Sequence, residues 1–220
     1  MLAAALSSCN LITFSGSAFD VEQDCESCND TVLVYDVEEF TEIVCDVPCY
    51  IEYSNDSVAG CELTLPVELS SAIEVVCVGG KLEIGSADTR KFRNSNIRIR
   101  LCSSSVERIG IRGAAEIDFV DAVVSDTLIV DASGAVELNA DKLKAAMVSM
   151  AVSGAGDIDI SELECGFFCA NVSGAANIVI AGKAEQADIT VSGAGDIDVR
   201  HLDCDNVKTN TYGVGKVRRK

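Results

Sequence analysis

The stretch Ser153-Gly-Ala-Gly-Asp-Ile-Asp-Ile160 returns almost letter for letter as Ser192-Gly-Ala-Gly-Asp-Ile-Asp-Val199. Looser copies start at Gly113 (G-A-A-E-I-D-F), Ser133 (S-G-A-V-E-L-N-A) and Ser173 (S-G-A-A-N-I-V-I). A glycine-rich loop that cradles one ligand is needed once, whereas a motif written five times is architecture or a multivalent site. The repeat glycines fall at 113, 134, 154, 174, 193 and 213, with spacings of 21, 20, 20, 19 and 20 residues. Self-similarity at that period predicts a solenoid.

Within a unit the pattern has period two. Ile158 and Ile160 share one face and Asp157 and Asp159 the other, which reads as a strand with one buried side. The second half of each unit alternates too: Val148, Met150 and Val152 in one, Phe168, Ala170 and Val172 in the next, with Leu128 and Val130, and Ile189 and Val191, in others. Each unit therefore supplies two or three short strands, stacked about 4.8 Å from their copies. Ile158 and Ile197 line the core, and the glycine takes a corner where a positive φ or a close approach to the next coil excludes a Cβ. No long stretch has helical periodicity. Val67 to Val76 is apolar enough for a short helix, but its β-branched residues favour strand. The expected fold is all-β: N-terminal strands leading into a parallel β-helix from about residue 95, or sharing one continuous solenoid with it.

The chain has 220 residues, 48% of them apolar, enough for a sizeable core built from Val, Ile, Leu and Ala, since aromatics are only 5%. The net charge of −18 is uneven: residues 1–80 hold 15 acids and no Lys or Arg, while 81–220 are close to balanced at −3. So acidic a chain repels phosphate backbones, which argues against nucleic acid as a partner. The basic clusters Arg90, Lys91, Arg93, Arg98, Arg100 and Arg218, Arg219, Lys220 carry no interleaved aromatics and read as solvated faces.

There are 11 cysteines. Met1-Leu-Ala-Ala-Ala-Leu-Ser-Ser-Cys9 resembles the end of a bacterial lipoprotein signal, in which Cys9 is lipidated, although no Lys or Arg precedes it. With Cys9 lipidated ten cysteines remain, and an envelope compartment permits disulfides. Cys25-Glu-Ser-Cys28 is a lone C-x2-C. Without a second pair or histidine partners it makes a weak zinc site, and acidic neighbours disfavour a redox thiolate. Cys165 and Cys204 occupy equivalent places two coils apart, roughly 9–10 Å, too far to bond. Any disulfide is favoured near the N-terminus, where Cys25 and Cys28, and Cys45 and Cys49, lie close in sequence.

The G-A-G-D repeats are accompanied by Tyr35-Asp-Val-Glu-Glu-Phe-Thr-Glu-Ile-Val44, and by Asn96-Ile-Arg-Ile-Arg-Leu101 followed by Val106-Glu-Arg-Ile-Gly-Ile111. Together they resemble the head GIN domain family of auto-transporter adhesins over about residues 31–217. The resemblance implies a right-handed parallel β-helix and a Bacteroides-type envelope lipoprotein with an adhesive role. It brings no catalytic residue and no cofactor. The organisation expected is a signal remnant over 1–9, an acidic linker over 10–30 and the solenoid domain over 31–217, with its clearest repeats over 113–217. Cys9 places the chain on a membrane, expected to be the outer one, with its side left open.

Two acidic ladders face outward: Glu116, Glu137, Asp157, Asn177, Asp196, and Asp118, Asn139, Asp159, Val179, Asp198. Stacked carboxylates invite Ca²⁺, with Asp157, Asp159, Asp196 and Asp198 as candidate ligands. Asn177 and Val179 interrupt both ladders, however, and calcium-binding β-roll repeats run at about nine residues. A solvated face that blocks aggregation is the plainer reading. Sugar-binding aromatics are limited to Tyr35, Tyr50, Tyr53 and Tyr212, His201 stands alone, and the serines at 133, 153, 173 and 192 are interchangeable turn residues. The expected function is a non-catalytic, lipid-anchored protein offering a rigid surface for adhesion to protein or glycan. The competing class is a carbohydrate-active β-helix that binds or cleaves polysaccharide. It would show a groove lined by aromatics and by carboxylates outside the repeat register. The end of the solenoid near Tyr212 to Lys220 is an edge through which copies could pair as a homo-oligomer.

Overall fold

The computed structural model describes residues 12–14, 29–93 and 95–219. Cys9, Cys25 and Cys28 lie outside them. Among the described residues the chain forms strands β1 (Ile12–Phe14), β2 (Asp30–Tyr35), β3 (Glu42–Cys45), β4 (Cys49–Asn55), β5 (Gly60–Pro66), β6 (Glu74–Val78), β7 (Lys81–Gly85), β8 (Arg98–Ser103) and β9 (Arg108–Ile111). There follow β10 (Ala114–Phe119), β11 (Val123–Ala132), β12 (Ala135–Val152), β13 (Ala155–Val172), β14 (Ala175–Val191), β15 (Ala194–Asp203), β16 (Asn206–Thr211) and β17 (Lys216–Arg218). Only two single 3₁₀ turns, Val67–Leu69 and Thr89–Phe92, interrupt them. The stretch Val67 to Val76 thus divides into a 3₁₀ turn and the start of β6.

The stack is a β-solenoid of about six turns. In the repeats each coil has three sides, with every strand parallel to its copies. One side, the acidic face, stacks 135–140 on 155–160 and 175–180. A short face follows, with Leu143 on Leu163, and then a broad face, with 147–152 on 167–172. One column of inward residues runs the length of the molecule: Leu33, Leu63, Ile99, Ile51, Ile117, Leu138, Ile158, Ile178, Ile197 and Val217, each paired with the next. All but Val217 are buried. Each such side chain contributes about 1.5–3 kcal/mol on burial, so alternation alone drives the stacking.

The solenoid begins well before residue 95. β3 and β4 form a coil that pairs with β9 and β10 on one side and with β7 and β8 on the other, so the spatial order departs from chain order. The chain lays this coil down, makes an antiparallel cap in which β5 joins β2 to β8, and returns to the inner side of its first coil. The cap shields the N-terminal end of the core while continuing the same aliphatic column.

The corner glycines work by close approach. None has a positive φ, a conformation that among the described glycines belongs to Gly79, Gly80 and Gly182. A Cβ on Gly154 would lie 1.7 Å from the Gly134 carbonyl oxygen, and one on Gly134 equally 1.7 Å from that of Gly113. Coil after coil, the backbone passes where a side chain would have to be. Gly79 and Gly80, at φ 62° and 81°, close the β6–β7 hairpin in the left-handed geometry that matches strand twist.

Candidate functional site

The Ser-Gly corner separates the broad face from the acidic face, and an open groove runs along each side of it. The corner serines are equivalent. Ser153 N donates to Ala132 O at 2.8 Å and its Oγ to the same oxygen at 3.3 Å, and Ser192 repeats this on Val172 O at 2.8 and 3.2 Å. Tyr212 holds the same corner position, its N donating to Val191 O at 2.8 Å, and projects into solvent with 77% exposure. No serine is singled out as a nucleophile. His201 is exposed and pairs in register with Ala181.

The groove on the broad side, ≈ 540 Å³, is floored by Ala132, Ala151 and the serines and walled by ion pairs. Arg108 binds Asp131, Arg112 binds Asp46 at 3.3 Å, and Lys81 binds Glu83 at 2.5 Å. Its charges are therefore largely internal.

The groove on the acidic side, ≈ 600 Å³, is bordered by Tyr50, Asn96, Glu116, Glu137 and Asp157. Register explains the acids: Tyr50, Glu116, Glu137, Asp157, Asn177, Asp196 and Lys216 form one outward column, and Glu52, Asp118, Asn139, Asp159, Val179, Asp198 and Arg218 the other. The ends of both columns are neutralised. Arg218 reaches Asp196 at 2.6 Å, Arg200 reaches Asp198 at 2.5 Å, and Arg100 reaches Glu52 at 2.9 Å. The basic cluster around Arg98 and Arg100 thus borders the acidic face, and Arg100 also meets Glu62 at 3.3 Å. The amides that interrupt the ladders act as donors: Asn139 to Asp118 at 2.9 Å and Asn177 to Asp157 at 3.1 Å. Tyr50 donates to the other oxygen of Asp118 at 2.6 Å, and that bond raises its phenol pKa well above the ordinary value.

The middle rungs are different. Among the described residues no ion pair reaches Glu116, Glu137 or Asp157. Slight desolvation of this exposed group, then the carboxylates of Glu137 and Asp118, push the Glu116 carboxyl above its usual value. Neighbouring strands lie about 4.8 Å apart, so Glu116 and Glu137 repel directly.

The candidate calcium ligands are not brought together. Asn177 separates Asp157 from Asp196, Val179 separates Asp159 from Asp198, and arginines occupy Asp196 and Asp198. Among the described residues no group of three or more His, Cys, Asp or Glu is placed to hold a metal ion. Of the aromatic candidates, Tyr53 belongs to the core: it is buried, donates or accepts at Ser103 Oγ (2.9 Å) and meets Phe119 edge-on at 5.8 Å. Its alternation with Ile51 could have told it apart from Tyr50, whose phase puts it outside. Tyr35 packs half-buried against the core, which leaves Tyr50 alone beside the acids. Sequence reasoning missed the rung pairs Lys142–Glu162 (2.9 Å) and Lys144–Glu164 (2.7 Å), although a spacing of twenty residues announces both.

No helix among the described residues is long and apolar enough to cross a membrane. No curated protein matches the chain significantly. Among solved structures, a "putative adhesin" from Bacteroides fragilis superposes with a TM-score of 0.68 at 18% identity, over 88% of this chain and 98% of its own. A "putative adhesin" from Parabacteroides merdae gives 0.63 at 15%, over 87% and 96%. A "putative lipid binding protein" from Parabacteroides distasonis gives 0.53 at 14%, over 87% and 97%. At such identities the likeness concerns the fold. The family model described as "Putative auto-transporter adhesin, head GIN domain" matches residues 39–219, and the chain belongs to that family.

Proposed function

We propose that this chain is a non-catalytic, adhesion-type protein of the bacterial cell envelope that binds a cationic protein or amino-bearing glycan surface through its acidic face. One observation carries the reading: Glu116, Glu137 and Asp157 stand in consecutive coils without a counter-cation among the described residues, as do Asp118 and Asp159 beside them, while arginines pair with the acids at both ends of the face. Such an arrangement costs stability in the free protein and is relieved by an external cation. Family membership supports the adhesive role. A lipid on Cys9 would tether the solenoid to the outer membrane. That part is tested by fatty-acid labelling of the full chain in cells, which should be lost in Cys9→Ser.

The binding test is adsorption of the full chain to surfaces bearing polylysine, chitosan, neutral polysaccharide or collagen, with and without added salt. Salt-sensitive retention on the cationic surfaces, weakened about tenfold or more in Glu137→Lys, is the expected result. Equal retention of both proteins would overturn the assignment of the face. The second reading is a polysaccharide-active β-helix. It draws on Tyr50 lying beside Glu116 and Asp157 in one groove. The carboxylates there follow the repeat register, which favours a binding surface over an acid–base pair. Release of reducing ends from neutral or acidic polysaccharides would reverse that preference.

A further inference from the structure

Each coil passes from the broad to the acidic face through a corner whose two flanking residues sit four apart and point inward. The pairs are Ile111 and Ala115, Ala132 and Val136, Val152 and Gly156, Val172 and Ala176, and Val191 and Gly195. The two members of a pair share one small space. A Cβ on Gly156 would meet Val152 Cγ1 at 2.9 Å, and one on Gly195 would meet Val191 Cγ1 at 3.2 Å. The pairs accordingly combine a larger residue with a smaller one.

The first coil turns the same way. Cys45 pairs in register with Ile111 and Cys49 with Ala115, so these two cysteines are the corner pair of that coil. Their Sγ atoms stand 3.3 Å apart. Cys45 is fully buried, whereas Cys49 is half-buried and lines the groove on the acidic side. The remaining described cysteines lack this placement in the corner register. Cys165, for example, pairs with Ala184, and Cys204 follows Asp203, the partner of Lys183, a further coil away.

We propose that Cys45 and Cys49 are a disulfide-forming pair, oxidised by exchange with an external disulfide such as an oxidised thiol–disulfide oxidoreductase or glutathione disulfide. Cys49, which borders the groove, attacks one sulfur of the oxidant, R–S–S–R, as its thiolate. The S–S bond breaks, R–S⁻ leaves, and Cys49–S–S–R forms. The Cys45 thiolate then attacks Cys49 Sγ and expels the second R–S⁻. The two protein thiols give up two electrons and two protons, which depart as two R–SH, and the Cys45–Cys49 bond closes. In the reduced pair the hydrogen bond with Cys49 draws the Cys45 thiol below its ordinary value against the opposing pull of burial. The same bond holds the Cys49 proton more tightly, so access from the groove, not acidity, makes Cys49 the first to meet the oxidant, and its proton leaves with the first R–S⁻. Because the repeat already brings corner side chains into contact, closure to a bond of about 2.05 Å requires only a local shift. The bridge encloses Asp46-Val47-Pro48 and pins the groove wall beside Tyr50.

The test uses the full reduced chain, equilibrated with glutathione disulfide, alkylated under denaturing conditions, digested and weighed. The expected product is an internally linked segment spanning 45–49, about 2 Da lighter than its reduced form, that takes no alkyl label until a reductant is added. Cys49→Ala places at this corner the residue found at 115, so the fold should persist. In that variant Cys45 should remain a thiol and accept one label after unfolding. Alkylation of both cysteines in the oxidised wild type would overturn the proposal, as would a link from either to any other cysteine.

Discussion

The acidic face and the short face are built on the same strands yet arrange charge in opposite ways. On the short face one column reads Val124, Lys144, Glu164, Lys183, Asp203, alternating in sign through the repeats, and Lys144 meets Glu164 at 2.7 Å. On the acidic face Glu116, Glu137 and Asp157 carry one sign. A solenoid stacks every residue on its own copy, so a repeated charge is repelled and an alternated one attracted. The short face follows the pattern that stability favours. The middle of the acidic face violates it while the ends of the same face are neutralised by arginines, and that contrast is what the proposed cationic partner would relieve.

The largest effect would come from breaking the register on which both faces depend. Gly154→Ala puts a Cβ against the Gly134 carbonyl and should force β13 away from β12. A loss of about 3 kcal/mol or more in denaturant unfolding is expected. A neutral result would mean that the coils are not held by glycine contact at the corner. Next come charge swaps that convert one face into the other. Glu137→Lys inserts a cation between Glu116 and Asp157 and should stabilise by about 0.5 kcal/mol, with weaker adsorption to cationic surfaces. Lys144→Glu sets a like charge against Glu164 and should lower the melting temperature slightly at low salt, leaving adsorption intact. If the two variants shift stability in the same direction, the contrast between the faces fails.

The two faces were also unequally legible. The acidic columns could be read from the repeated G-A-G-D-I-D words, because period two sends Asp157 and Asp159 outward together and period twenty stacks them. The pairing of Lys144 with Glu164 obeys the same period but lies outside the repeated words, where the letters differ between units and no motif draws the eye. The neutralised ends were hidden for another reason: Arg218 belongs to the last strand, beyond the clear repeats, and Arg100 reaches the face only through the cap. The position of β3 and β4 between β7–β8 and β9–β10 has no periodic signature at all. Strands brought together out of chain order leave only the general signal of buried alternation. For the same reason Cys45 and Cys49 look like near neighbours in sequence, and their identity as a corner pair emerges only once Ile111 and Ala115 are set beside them.

The smallest expected effect is a pH dependence of opposite sign at uncompensated and compensated rungs. The Glu116 carboxyl is raised by slight desolvation and then by its acidic neighbours, so the native state binds that proton more tightly than the unfolded chain. Its contribution to stability is fully present below the unfolded value of about 4.3 and is lost as pH rises through the higher folded value. Asp198 is the reverse case. Hydrogen bonds from Arg200 hold its carboxyl down at about 2, so its contribution is present above the unfolded value and lost as pH falls through the folded one. Melting temperatures followed from about pH 7 down to about pH 2 should therefore separate two variants. Glu116→Gln should melt above the wild type near neutrality and lose that advantage by about pH 4. Asp198→Asn should melt below it near neutrality and converge with it at the acid end, with a difference small enough for salt to screen. Parallel curves for the two variants would mean that both rungs are equally solvated, and the acidic face would then carry no stored repulsion for a cationic partner to relieve.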